Sequence, residues 1–158
     1  MEPKKVFKIF HYNTQLRWSG ERHGDLSSEG KPGLKIAAPP EFKGHPGLWT
    51  PEDLLVAAVE ICTMTTFLAF ASHKKIGLLQ YESAAEGTLE NVNGKYQFTR
   101  VVVTPRITVA TADEIATVEQ LIRDVEGACL ISNSLKTQVE LRPVILAEDL
   151  SLKPALVV

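Results

Sequence analysis

Apolar and polar positions along this chain follow two different periods, and the switch between them outlines the elements. Val6, Phe7, Ile9, Phe10, Tyr12, Leu16 and Trp18 are apolar or β-forming and predict one or two strands over 6–18. The stretch from Ser19 to Gly24, bracketed by Gly20 and Gly24, predicts a hairpin turn, and 34–37 a further short strand. Pro39, Pro40, Gly44, Pro46 and Gly47 mark 39–49 as a loop. A long helix follows, starting with Thr50 as N-cap, Pro51 at the first helical position, and Glu52 and Asp53 facing the positive end of the dipole. It should run to about Lys75, where His73, Lys74 and Lys75 precede Gly77. Its middle (Leu54, Leu55, Val56, Ala57, Ala58, Val59, Ile61, Met64, Phe67, Leu68, Phe70) is apolar nearly all round. Such a helix must be covered on every side, which predicts a sheet on one side and a second subunit on the other.

Alternation returns over 78–89 and 96–109, joined across Asn93-Gly94, a strong hairpin signal. Thr111 and Glu114 form a capping box, after which Ile115, Val118, Leu121, Ile122 and Val125 recur at helical spacing and Cys129 continues their stripe. A last strand is expected over 139–146, before a charged and then apolar tail. The order predicts an α+β fold with antiparallel pairing and two main helices, in a single domain over residues 1–158.

Composition narrows the partners. Lysine plus arginine number 17 against 19 aspartate plus glutamate, a net charge of −2, which favours neither nucleic acid nor an anionic membrane. A small neutral or weakly charged substrate fits better. The lysines near the N-terminus lead into no apolar stretch of signal length, and the segment from Leu54 to Ala71 is interrupted by Glu60, Thr63, Thr65 and Thr66. A cytoplasmic protein with a buried helix rather than a membrane span is expected. In that reducing compartment a pair of cysteines is incidental or redox-active.

The cysteines are Cys62, about three turns into the first helix, and Cys129, at the end of the second. Their separation fits neither a zinc ribbon nor a Cys-x-x-Cys motif. His11, His23, His45 and His73 offer no two ligands at metal spacing, so no metal site is expected. A cysteine in an apolar helix is by itself a small hydrophobe, and burial alone leaves it inert. Three features oppose that reading: Cys129 closes a helix as a resolving thiol would, Arg22 sits in a glycine-bracketed hairpin, and Glu52 opens the helix of Cys62 and can hold that arginine. Glu60 reads as a salt-bridged core acid or as a group on a solvent channel. His23 reads as a solvated turn residue, Ser132 and Asn133 as capping or turn residues, and Trp18 and Trp49 as core or interface.

The segment Thr50-Pro51-Glu52-Asp53-Leu54-Leu55-Val56-Ala57-Ala58 followed by Cys62, with Ala128-Cys129-Leu130-Ile131-Ser132-Asn133-Ser134-Leu135, resembles the OsmC/Ohr family (osmotically inducible protein C and organic hydroperoxide resistance protein) over about residues 10 to 145. The resemblance rests on the Pro-Glu start, the step from Glu52 to Cys62 and the Cys-x-x-Ser-Asn signature. It implies an intertwined homodimer with antiparallel curved sheets around two central helices, and a stress-response thiol peroxidase. It implies that Cys62 is the peroxidatic residue, Cys129 the resolving one, Arg22 the cation beside the thiolate and Glu52 the anchor of that arginine. Glu21 stands where the family has glycine before the arginine, and Arg17 is the reserve for Arg22. Leu130 replaces a proline that often follows the second cysteine.

The expected reaction reduces a small organic hydroperoxide to an alcohol through a Cys62 sulfenic acid and a Cys62–Cys129 disulfide, without haem, flavin or metal. A dithiol, a lipoyl group or small thiol by the resemblance, would restore both cysteines. In a continuous helix the step from Glu52 to Cys62 rises about 15 Å, too far for one subunit's pair to meet. Glu52, with Arg22, is therefore expected from the partner subunit. The competing functions are a non-catalytic small-molecule-binding protein and a cysteine-dependent hydrolase.

Overall fold

The structure, a computed structural model, describes residues 7–148; the expected strand start at Val6 and the tail beyond Glu148 lie outside them. The chain divides into two compact units, one up to Leu54 and one from Leu55 onward.

In the first unit β1 (Gln15–Gly20), β2 (His23–Ser27) and β3 (Leu34–Ala37) form an antiparallel sheet in that order. The tip between β1 and β2 turns through two positive φ angles, 122° at Gly20 and 43° at Glu21, beside a register shift between Trp18 and Gly20. The strand expected over 6–18 starts only at Gln15. Phe7, Ile9, Phe10 and Tyr12 are all more than 70% exposed, and no strand pairs them among the described residues. β-forming side chains do not make a strand when the backbone has no ladder to join. Trp18 and Trp49 are exposed as well, so neither is core within this chain. After a 3-10 turn at Pro40–Phe42, Trp49 returns to bridge Ile36. Thr50 then caps α1 (Pro51–His73): its hydroxyl accepts from the Asp53 N–H at 3.1 Å, and the Asp53 carboxylate accepts from the Thr50 N–H at 3.0 Å.

In the second unit α1 buries only Val59, Thr63, Phe67 and Ala71, one residue per turn. The helix stops at His73 and is closed two residues on by Lys75, which takes a left-handed φ of 56° while the Ile76 N–H reaches back to the Ala71 carbonyl. Gly77 is therefore not the helix stop. It is needed for close approach: an added Cβ would lie 2.9 Å from the Ala110 Cβ. β4 (Leu78–Val92) and β5 (Lys95–Val109) form the expected hairpin, with Asn93 and Gly94 both at positive φ in the turn. Every second residue of β5 from Val101 to Val109 is buried, which fixes its register against the core.

The expected antiparallel pairing holds for β1–β2–β3 and for β4–β5, and at the far edge of β5 the sheet becomes mixed. There β6 (Gln138–Leu141) and β7 (Val144–Ala147) both run parallel to it. The intervening α2 (Ile115–Ala128) acts as a crossover that returns the chain to the same end of the sheet, the connection a parallel neighbour requires. The single strand expected over 139–146 is split at Pro143, which has no N–H to give the ladder. Phe67 and Ala71 of α1, Ile107 and Val109 of β5, and Val118, Leu121, Ile122 and Val125 of α2 close into one core. Val59, Val101 and Val103 form a second cluster nearer the start of α1.

α1 is long and apolar enough to cross a membrane by length and composition, and 22% of its most apolar window is buried within the chain. Glu60 lies in the middle of it, accepting a hydrogen bond of 2.5 Å from the Ser83 hydroxyl on β4. The ion pair that the sequence suggested for Glu60 is absent among the described residues; a hydroxyl satisfies the carboxylate instead.

Candidate functional site

Cys62 and Cys129, remote in sequence, are brought into contact in the second unit. Cys62 follows the buried Val59 by three residues, so it sits on the flank of the α1 stripe and is half-buried. Cys129 extends the α2 stripe by one more turn from Val125 and is 1% exposed. Both are free thiols, and the Cys129 thiol is among the groups that lower the Cys62 thiol's pKa.

The backbone at Cys129 is what equips this contact. Its ψ of 113° interrupts the helix, and a new single turn, α3 (Leu130–Asn133), starts immediately after it. A restarted helix leaves its first N–H groups without intrahelical acceptors. Those of Leu130 and Ile131 favour the Cys62 thiolate. The Thr66 hydroxyl, one turn along α1, lies 4.0 Å from the same atom. Burial pushes the Cys62 thiol up, but the Cys129 thiol, the Ile131 N–H, the Thr66 hydroxyl and the Leu130 N–H together hold it below its ordinary value. Ser132 adds a further link, its hydroxyl donating to the Cys129 sulfur at 3.1 Å. A relay of donors thus runs from Ser132 through Cys129 to Cys62. Beside Cys129 lies a void of about 20 Å³, bordered by Thr63, Ser132 and Val139 among others, about the room one water needs. Toward solvent, Ile61, Leu130 and Ile131 are exposed apolar side chains.

Arg22 and Glu52 belong to the first unit. Arg22 is exposed and donates its Nη1 hydrogen to the Phe42 carbonyl. Glu52 is half-buried, and its Oε2 is enclosed with no hydrogen-bond partner. These two form no ion pair with each other, so the anchor expected from the sequence is not assembled in the single chain. Arg17, the reserve cation, is exposed on β1 opposite Asp25, which pairs instead with Lys35.

Sequence reasoning missed four groups at the sulfur: Thr66, Ser132 and the amides of Leu130 and Ile131. Thr66 and Ser132 stand four and three residues after a cysteine, spacings that share a helix face, and were legible on that ground. The two amides were not, because the break at Cys129 is a backbone angle and not a residue type.

The model of the family described as OsmC-like protein matches residues 44–143, nearly two thirds of the chain. Among curated proteins, YmaD of Bacillus subtilis is 25% identical over 138 residues, 84% of this chain and 91% of its own length. Among solved structures, an OsmC-like protein of Vibrio cholerae superposes with a TM-score of 0.79 at 21% identity, over 86% of this chain and 100% of that one. An organic hydroperoxide resistance protein of Legionella pneumophila superposes with a TM-score of 0.69 at 22% identity, over 89% and 99% of the two chains. At these identities the superpositions speak for the α+β fold.

Proposed function

This chain belongs to the OsmC-like protein family, and from that premise we propose that it is a two-cysteine thiol peroxidase acting on small organic hydroperoxides. The observation that carries the reading is a Cys62 thiol lowered below its ordinary value, with the Cys129 thiol and the Ile131 and Leu130 amides among the groups that lower it. Such donors favour the thiolate, the nucleophilic form. Attack of the Cys62 thiolate on the distal peroxide oxygen forms an S–O bond and breaks the O–O bond. The alkoxide leaves and takes up a proton as alcohol, and Cys62 becomes a sulfenic acid. The Cys129 thiol then attacks that sulfur: an S–S bond forms, the S–O bond breaks, and the departing hydroxide takes the Cys129 proton to leave as water. An external dithiol, lipoyl or a small thiol, reduces the disulfide by exchange, as the reducing cytoplasm allows. The exposed Ile61, Leu130 and Ile131 suit an alkyl group better than a second water-like hydroxyl.

The active form in this proposal is a homodimer. Within the chain, α1 leaves Ile61 57% and Leu68 36% exposed, and the segment with Phe7, Ile9, Phe10 and Tyr12 has no strand partner among the described residues. A second copy supplies cover for both. It also supplies Arg22 as the cation for the thiolate and Glu52, whose enclosed Oε2 lacks a partner here, as the anchor of that arginine.

Mass spectrometry after one equivalent of an alkyl hydroperoxide tests the chemistry. The reading expects a loss of two hydrogens, mapped to the peptides of Cys62 and Cys129, and no reaction in Cys62→Ser. An unchanged mass in the wild type ends the peroxidase reading. A monomer with full activity at high dilution ends the composite site.

A further inference from the structure

The tip of the β1–β2 hairpin and the proline- and glycine-rich loop after β3 bring three potential metal ligands together in the first unit. One ligand atom from each of Glu21, His23 and His45 lies within 4.8 Å of the other two. The His45 Nε2 and a Glu21 carboxylate oxygen are 2.8 Å apart, and the two imidazole rings are tilted by 41° with centroids 3.9 Å apart. No two histidines share a ligand spacing along the chain, so only the fold brings His23 and His45 together. His23, expected as a solvated turn residue, starts β2 and is half-buried.

Backbone structure holds this arrangement. His23 is in register with Ala37 of β3, and the N–H of the next residue, Ala38, bonds the Arg22 carbonyl. The His45 N–H in turn bonds the Ala38 carbonyl at 3.1 Å, so the loop lies along β3 and sets one imidazole over the other. That approach depends on Gly44, where a Cβ would meet the Ala38 carbonyl oxygen at 1.6 Å. Glu21 reaches His45 from a left-handed backbone, φ 43°, which side chains other than glycine's seldom adopt. A side chain kept in an unfavoured conformation points to a role for its carboxylate. Arg22, the cation between two of the ligands in sequence, is taken up by the Phe42 carbonyl. The side chains of Glu21 and His45 are 72% and 40% exposed, which leaves coordination positions open to water.

We propose that Glu21, His23 and His45 form a surface site for a first-row divalent metal ion, Zn²⁺ foremost, which clips the hairpin tip to the loop after β3. Two imidazole nitrogens and one carboxylate oxygen are a donor set for Zn²⁺ and its neighbours rather than for Mg²⁺ or Ca²⁺, which take oxygen ligands. Bonds of about 2.0–2.2 Å place tetrahedral ligand atoms about 3.3 Å apart. The Glu21–His45 pair, at 2.8 Å, is closer than that, and all three ligand atoms lie within 4.8 Å of one another, so side-chain rotations close the site. The ion takes the position now bridged by the Glu21–His45 contact. The site stands independently of the peroxidase reading.

Zn²⁺ titration of the full chain against a chromophoric chelator tests it, in wild type, Cys62→Ser/Cys129→Ser, His45→Ala and Glu21→Gly. The double cysteine variant removes competing thiol ligands and should still bind one Zn²⁺. His45→Ala and Glu21→Gly, made in that background, should weaken binding tenfold or more, since even outer partners of a metal ligand change affinity by 10- to 100-fold. Glu21→Gly suits its left-handed position and keeps the fold, so it carries the test if His45→Ala is unstable. In NMR spectra of the same background, Zn²⁺ should shift the ring signals of His23 and His45 and leave those of His11 and His73 in place. No Zn²⁺ uptake by the double cysteine variant, or equal affinity after Glu21→Gly, overturns the site.

Discussion

In the proposed cycle Cys129 has two separable tasks, donor to the Cys62 thiolate and partner in a disulfide, and two substitutions at one position divide them. Cys129→Ser keeps a hydrogen-bond donor between Ser132 and Cys62 but cannot form the disulfide. Cys129→Ala removes both. A hydrogen bond to a charged group contributes about 1.5–3 kcal/mol when water is excluded. Cys62 is only half-buried, so water replaces part of the lost donor and the lower end applies. Cys129→Ala should therefore raise the Cys62 thiol's pKa, and Cys129→Ser should raise it less, because serine keeps a donor. The assay is the pH dependence of alkylation by a bromobimane, with folding checked by circular dichroism, because truncation beside the void at Cys129 costs stability of about 1 kcal/mol. Neither variant should sustain peroxide turnover. The Ser variant should complete its first turnover near the wild-type rate at neutral pH, and the Ala variant more slowly. An unchanged Cys62 pKa in Cys129→Ala, or an equal shift in both variants, refutes the relay.

Three further outcomes follow from the packing. The Gly77 N–H first, then the Thr111 N–H and hydroxyl, hold the Glu114 carboxyl below its usual range. The stability gap between wild type and Glu114→Gln should be complete above about pH 4.3 and vanish as pH falls through the lower folded value; urea titrations giving a gap independent of pH would contradict this. Tyr81 is pushed up to about 12, first by burial and then by the charge of Glu60, against a lowering by Ser83. Glu60→Gln should bring the Tyr81 phenol down in an NMR-monitored titration, and an upward or absent shift would remove Glu60 from its surroundings. Phe67, fully buried between α1, β5 and α2, should cost about 3–5 kcal/mol on truncation to alanine in urea unfolding, and a loss under 1 kcal/mol would mean that the core is not closed there.

Some of this protein was written locally in its residues. Thr50 with Asp53, Thr111 with Glu114, and Asn93-Gly94 act through bonds and angles within a few positions, so the starts of both main helices and the central hairpin were legible. The alternation of β5 and the stripe of α2 likewise pointed Cys129 inward, because a repeat period fixes a side chain's direction. Partnership was not written there. The apolar residues before Gln15 read as strand, yet a strand exists only where another backbone takes its hydrogen bonds. The sequence offered one last strand over 139–146, and only the crossover through α2 set β6 and β7 parallel to β5. The meeting of Cys62 with Cys129, the amides freed by the break at Cys129, and the stacking of His23 on His45 all join groups that no period relates. Local bonding energies act over a turn or a hairpin and can be read in order along a chain. Distances between remote side chains are set by the packing of whole elements, which only the folded structure decides.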